Sequence, residues 1–590
     1  MRTVARLALV AIVISGLIGG ATNLPSRTAQ GQTTIGEADL AIWRVKVSSP
    51  AEVSRLTSGG WDVLEGRGDD YLLVMGDSAT ARELEAQGFT VSVDQLLPSE
   101  RPDGLFSYYG GYRTVVEHYQ HLDALAAAYP DLVSVVDYGD SWRKLQNAAS
   151  GYDLKAICIT YKRAGDCAQN PATDKPRFVL MAAIHARELS TSEQAWRWMD
   201  FLVSRYGVDA DITALLDHNE MWIIPVVNPD GREIVESGPT TPYTQRKNAN
   251  TSLGSCSNPP TGSSQYGIDL NRNADFQWGG AGTSTSPCSL VYRGTSGASE
   301  PENYYLQNFL SSLFPDQRGP ALSDAAPQTT TGTFITLHSY SNLVLLPWGW
   351  VECNSSACPP SQQSPNDAGL RSLAFRMSYF NGYNTGQPSE ILYAASGGTD
   401  DWAYGVLGVA SFTFEVGPGS GTCSGFMPAY TCQDSTFWPK NRDALIYAAK
   451  SARQPYTLSL GPSTITPTLS LTTTVVGTPI TVTAPINDGT YGAIGINRPA
   501  SQAIAAAEYY LDTPPWAGGA ALPMAAQDGT FNSTSEVVSA QIDTTGLSVG
   551  RHTVFVRGRD DAGNWGPTTA SWITVVADPS SYVYMPLIIN

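Results

Sequence analysis

Positive charge is scarce in this sequence. Its 36 lysines and arginines stand against 54 aspartates and glutamates, and charged residues make up only 15% of the chain, where roughly 25% is usual. A formal net charge of -18, with no basic stripe anywhere, argues against nucleic acid or any other phosphate-backbone partner. Histidine is scarcer still, six residues in 590, so a metal site built on imidazole has few side chains to draw on. Long apolar runs are nearly missing as well. In MRTVARLALVAIVISGLIGG, Arg2 and Arg6 precede an apolar run from Leu7 to Ile18, short for a membrane span of about 20 residues but suited to a signal peptide. Export is the expectation, with no membrane span in the mature chain; an uncleaved anchor stays open, because no clear Ala-x-Ala cleavage site follows.

What the sequence does have is length, cysteine and three changes of texture. A chain of 590 residues exceeds what one core serves and predicts several domains. The eight cysteines, all in the middle of the chain, fit disulfides formed in an oxidising compartment. Pairing of sequence neighbours (158 with 167, 256 with 288, 353 with 358, 423 with 432) is the simplest connectivity, and the spacings do not resemble zinc knuckles. After a signal peptide over 1–31, the segment 38–100 reads β-α-β-β-α-β, the ferredoxin-like order. A linker follows over 101–107, QLLPSERPDGLFS ending the unit with Pro, Gly and Arg101. From 108 to 455 strands and helices alternate, predicting an α/β region with a mixed, mainly parallel sheet covered by helices. Thr-, Ser- and Pro-rich alternation over 456–577 predicts an all-β, Ig-like sandwich, and 578–590 is a short tail.

The chemistry gathers in the middle region. In open α/β sheets sites form beyond the carboxyl ends of the strands. The strands RFVLMAAI, MWIIPVV, TFITLHS and ASFTFEV put His185, Asn228, His338 and Glu415 at such ends. Imidazole nitrogen and carboxylate oxygen are standard zinc ligands, and a catalytic zinc takes three from the protein. His185 and Glu188, three residues apart, supply two, and His338 is the candidate third. His118, His121, His218 and His552 read as solvated surface.

Seven motifs then run in order: HARE (185–188), PVVNPDG (225–231), RKN (246–248), GIDLNRN (267–273), HSYSNLVLLPWG (338–349), YAASGGTDDWAY (393–404) and SFTFE (411–415). With them the chain from about Tyr108 to Arg453 resembles the secreted zinc metallocarboxypeptidases of the carboxypeptidase A/B type. The resemblance implies Zn2+ held by His185, Glu188 and His338. It implies Glu415 as the general base and Arg246 as the group that steadies a developing oxyanion. Asn271 and Arg272 match the pair that holds a terminal carboxylate, for which a guanidinium fork is suited. Tyr393 matches the tyrosine that closes over that carboxylate, and Arg187 a subsite arginine beside the metal. Asp400 falls where the family reads the terminal side chain, apolar in A-type and Asp in B-type enzymes, so Lys or Arg ends are expected. Gly349 and Ala395 would leave that pocket roomy. Cys256 and Cys288 bracket the Asn-Arg pair much as a family disulfide does.

The implied activity is hydrolysis of the last peptide bond of a peptide or protein with a free C-terminus. The first unit matches the family's prosegment in place and element order, implying latency and an activating protease; a permanent accessory unit is the alternative. The C-terminal sandwich reads as a spacer or a contact with a cell surface or polymer. Two other classes stay open, a cell-wall peptide amidase-type metallohydrolase and a catalytically dead peptide-binding protein. The carboxylate-holding residues argue against the first, and the full ligand and base set against the second.

Overall fold

The computed structural model describes residues 40–68, 70–96, 109–170, 173–353 and 357–577. The expected signal peptide, the linker with Arg101 and the C-terminal tail lie outside the described residues.

The first unit is built as its pattern predicts: β1 (Ala41–Lys46), α1 (Pro50–Ser58), β2 (Asp62–Arg67), β3 (Tyr71–Gly76), α2 (Ser78–Ala86) and β4 (Val91–Leu96). The strands form one antiparallel sheet in the order β2-β3-β1-β4. Both helices start on a side-chain cap. Ser49 accepts from the amide of Glu52, with Pro50 in the first turn, and Asp77 accepts from Ala79 and Thr80, each satisfying amides that have no partner inside the helix.

The middle region opens with α3 (Val115–Ala128), started by a capping box between Thr114 and Glu117. Beyond it an eight-stranded sheet runs through β5 (Val133–Asp140), β6 (Asp153–Ile159), β7 (Arg177–Met181), β8 (Glu220–Ile224), β9 (Thr333–His338), β10 (Leu343–Leu345), β11 (Asn384–Gly386) and β12 (Ala410–Glu415). Their order is β11-β10-β12-β9-β7-β8-β6-β5. The centre, β12-β9-β7-β8, is parallel, while β10 against β12 and β6 against both β8 and β5 are antiparallel. The central strands are apolar without alternation because helices cover both faces; every residue of β7, β8, β9 and β12 is buried. All four neighbour disulfides are present.

Two histidine expectations fail. His118 is fully buried, its ring edge-on to Trp196, because it shares the apolar face of α3 with Val115, Tyr119 and Leu122. His552 is buried too, its Nδ1 2.6 Å from Asp512.

From Ser463 to Val576 the chain is all β, a nine-stranded sheet that curls on itself. The strand Leu522–Ala526 pairs on one side with Ile504–Leu511 and on the other with Ser535–Ile542. The two layers close one core around Val482, Ile486, Val538, Val554 and Ile573. This region is fastened to the middle one by a fully buried arginine. Arg376, on the helix Asp367–Asn381, pairs with Asp488 at 2.5 Å and donates to the carbonyls of Ser459, Gly461 and Asp488.

Candidate active site

The turn after β7 carries His185 and Glu188. Glu188 is the residue before the helix Leu189–Arg205, the usual capping place, yet its carboxylate does not cap that helix. It turns inward instead: Oε1 lies 2.7 Å from His185 Nδ1, and Oε2 accepts from the amide of Ser339 at 3.1 Å and lies 3.4 Å from His338 Nδ1. The two Nδ1 atoms are 3.1 Å apart. All three side chains are buried, and one donor atom from each falls within 4.8 Å of the others. Zn–N and Zn–O bonds of about 2.0–2.2 Å put tetrahedral ligand atoms about 3.3 Å apart, close to the 3.1 and 3.4 Å of two of these contacts and somewhat wider than the 2.7 Å of the third. Burial, reinforced by Arg246, lowers the pKa of His185, favouring the neutral imidazole that a metal requires. The donor set therefore fits zinc.

Asp269 is the residue that sequence reasoning missed. It is fully buried, its Oδ1 is 3.2 Å from His185 Nε2, and its Oδ2 accepts from Arg246 Nε at 3.0 Å. Its side chain also takes the amide of Asn271. Burial works against its charge, but Arg246, His185 and Arg272 hold it well below the usual carboxylate range. A carboxylate on the far nitrogen of a ligating histidine fixes tautomer and ring orientation. The available signal was its place two residues before Asn271 in GIDLNRN.

Around this centre the structure brings the other expected residues together. His338 and Glu415 end β9 and β12 as direct partners in parallel register. Asn271, Arg272, Tyr393, Asp400 and Glu415 line one cavity with His338, about 50 Å³ in volume. Asn271 Oδ1 accepts from Thr399, and Arg272 is held by the carbonyls of Gly282 and Asn271, both at 2.8 Å. Asp400 accepts from the Thr413 hydroxyl at 2.9 Å and from the amide of Asp401; among the described residues no lysine or arginine pairs with it. Asp401 is structural. Its carboxylate takes the amides of Gly349 and Trp350, while burial and the neighbouring Asp400 push its pKa well up. Neither aspartate caps the helix Thr399–Leu407. Gly349 and Ala395 both line this cavity, which is nonetheless small rather than roomy. Asn228 has a scaffold role, capping the helix Pro229–Glu236 and donating to the Ile184 carbonyl.

The first unit reaches into the same place. Asp62, on β2, pairs with Arg187 through both carboxylate oxygens, one contact at 2.7 Å. Both side chains are buried, and the guanidinium also lies 4.1 Å from the centre of the Phe426 ring. The carbonyl of Val63 accepts from the Tyr393 hydroxyl at 3.1 Å, and Arg67 donates to the Leu392 carbonyl at 2.7 Å.

Comparison with known proteins agrees with this geometry. The zinc carboxypeptidase family model matches residues 118–444. Carboxypeptidase A2 of Mus musculus is 32% identical over 349 residues, 56% of this chain and 72% of that protein. A zinc carboxypeptidase of Saccharothrix mutabilis subsp. capreolus is 28% identical over 426 residues, 69% of this chain and 88% of that one. The crystal structure of carboxypeptidase A from Helicoverpa armigera shares the fold, with a TM-score of 0.54 at 20% identity over 71% of this chain and 98% of that one. The chain belongs to the zinc carboxypeptidase family. It is a zinc-dependent metallocarboxypeptidase, a peptide hydrolase.

Replacing Asp269 with Asn should weaken zinc binding about 10–100-fold, measured by competition with a chromogenic chelator. Unchanged affinity would remove Asp269 from the metal's support.

Proposed function

We propose that this protein is a secreted carboxypeptidase that removes Lys or Arg from the free C-terminus of peptides and proteins. The observation that carries this reading is the single cavity lined by Asn271, Arg272, Tyr393, Asp400 and Glu415. Its donors suit a terminal carboxylate at one part, and Asp400 offers a buried anion at another. A carboxylate without a cation in a confined pocket is costly, and a cationic side chain offsets that cost. Secretion is supported by the four disulfides. Among the described residues no helix is long and apolar enough to cross a membrane.

Zinc, held by His185, Glu188 and His338, supplies Lewis acidity toward water and a carbonyl oxygen. Glu415 takes the proton of the attacking water at its carboxylate and passes it to the leaving amine. Arg246, kept in place by Asp269, stabilises the oxyanion that develops as the carbonyl is attacked. Asn271 and Arg272 hold the substrate carboxylate, Tyr393 closes over it, and Arg187 grips the backbone further along the peptide. Fixing the substrate by its free end selects the last bond, since only there does the carboxylate reach Arg272 while the scissile carbonyl faces Glu415.

The first unit is read as a prosegment, with a cleavage in SERPDGLFS (99–107) near Arg101 separating it from the enzyme. Support comes from Asp62 and Val63 in β2, which engage Arg187 and Tyr393, two of the groups proposed to meet substrate.

Two outcomes are expected. For matched peptides ending in Arg, Leu and Phe, kcat/KM should favour Arg, and Asp400→Ile should shift the Arg-to-Phe ratio by at least about tenfold toward Phe. A ratio that does not move would mean Asp400 does not read the side chain. Uncleaved protein should turn over at least about tenfold more slowly than a chain starting at Phe106, and Asp62→Ala should recover part of the difference. Equal activity of the cleaved and uncleaved forms would make the first unit a permanent accessory.

A further inference from the structure

The Tyr393 segment is read above as a wall of the substrate pocket, and the inference here rests on that reading. The wall begins at β11, an edge strand paired with β10 on one side. Its other side is taken by the C-terminal region. Gly495 bridges Thr385 in parallel, and the amide of Ile496 donates to the Thr385 carbonyl at 2.9 Å. Three residues before Gly495, the amide of Gly492 donates to the carbonyl of Phe375 at 2.7 Å. The approach needs glycine: at φ +149, a Cβ on Gly495 would lie 2.4 Å from the Thr385 oxygen and 2.5 Å from the Phe375 ring.

The same loop connects to the pocket through side chains. The Ile496 carbonyl accepts from Arg371 Nη1 at 2.9 Å, and that nitrogen also donates to Glu390 Oε2 at 3.1 Å. Arg371 is buried, and Asp367 fixes the rest of its fork through Nε and Nη2. Glu390 in turn accepts the amides of Gln387 at 2.8 Å and Cys358 at 3.0 Å. Gln387 starts the short helix Pro388–Ile391, and Pro388, Leu392 and Tyr393 line the cavity. A fork held on three sides leaves Glu390 a single arrangement, so the chain of contacts is stiff. Arg376, by contrast, fastens the C-terminal region without touching this path.

We propose that the loop 491–497 of the C-terminal region is a positioning element for substrate binding, fixing the 387–393 wall through the β11 edge, Arg371 and Glu390. The C-terminal region is then part of the substrate-binding apparatus and more than a spacer. The wall grips the end of the peptide, so loosening it raises KM and leaves the proton transfers at Glu415 intact.

The test compares zinc-loaded full-chain wild type with Gly495→Val, Arg371→Lys and, as a control inside the distant β core, Val575→Ala. Amide hydrogen exchange over 387–393 should quicken in the first two variants and stay at the wild-type rate in the control. In the catalytically active form of each, KM for a peptide ending in Arg should rise about tenfold with kcat within about twofold. Wild-type exchange over 387–393 in both Gly495→Val and Arg371→Lys would overturn the proposal. So would quickened exchange with KM unchanged. Should the wild type release no C-terminal residue at all, the functional reading above fails on its own terms, and the exchange comparison alone decides whether the loop holds the wall.

Discussion

The carboxylate of Asp269 touches three parts of the site at once: the far nitrogen of His185, Nε of Arg246, and the amide of Asn271. One buried anion thereby sets the ring plane of a proposed metal ligand, the position of the arginine proposed to meet the oxyanion, and the start of the segment proposed to meet the substrate carboxylate. An uncompensated carboxylate at that depth would cost several kcal/mol. Its neighbours, Arg246 first and then His185 and Arg272, keep it charged, and it keeps Arg246 and His185 oriented. The rest of the site depends on this mutual arrangement, because the three parts it joins come from separate chain segments, around His185, Arg246 and Asn271, and the strand register fixes only His338 and Glu415 directly.

Two further regions close on this frame, and both reach the segment that leads to Tyr393. The first unit brings Asp62 to Arg187, a fully buried pair whose breakage leaves an isolated charge and costs about 3–5 kcal/mol. In the proposed cleavage of the first unit, this contact would hold while the chain is intact and would give way to water or substrate at Arg187 afterwards. The C-terminal region docks on the β11 edge and through Arg371 and Arg376, covering backbone groups that an edge strand would otherwise expose. A sequence poor in charge has placed Arg371 and Arg376 in buried forks, where each joins separate segments.

Much of this was legible before the structure. HARE follows an apolar run that had to be a buried strand, so His185 and Glu188 had to stand at its mouth. The apolar runs before His338 and Glu415 gave the same answer. The β-α-β-β-α-β unit was legible from alternation, helix caps and turn residues. Asp269 was not, because nothing local distinguishes it: its role arises from contacts with His185 and Arg246, 84 and 23 residues away. Asp62 sits in an ordinary strand and meets Arg187 across 125 residues. The contacts of Gly492 and Gly495 with Phe375 and Thr385 arise only in the fold, between residues far apart in the chain. His118 was a different failure. Its spacing from Val115 and Leu122 placed it on the apolar face of α3, and residue type was allowed to outweigh periodicity.

The most direct test is release of the terminal residue from matched peptides with free or amidated C-termini, by zinc-loaded wild type and Glu415→Gln. The account predicts chelator-sensitive release from the free peptide alone. It also predicts that Glu415→Gln retains its zinc and loses activity by about 10²-fold or more. Equal cleavage of the amidated peptide, or wild-type turnover in Glu415→Gln, would contradict it.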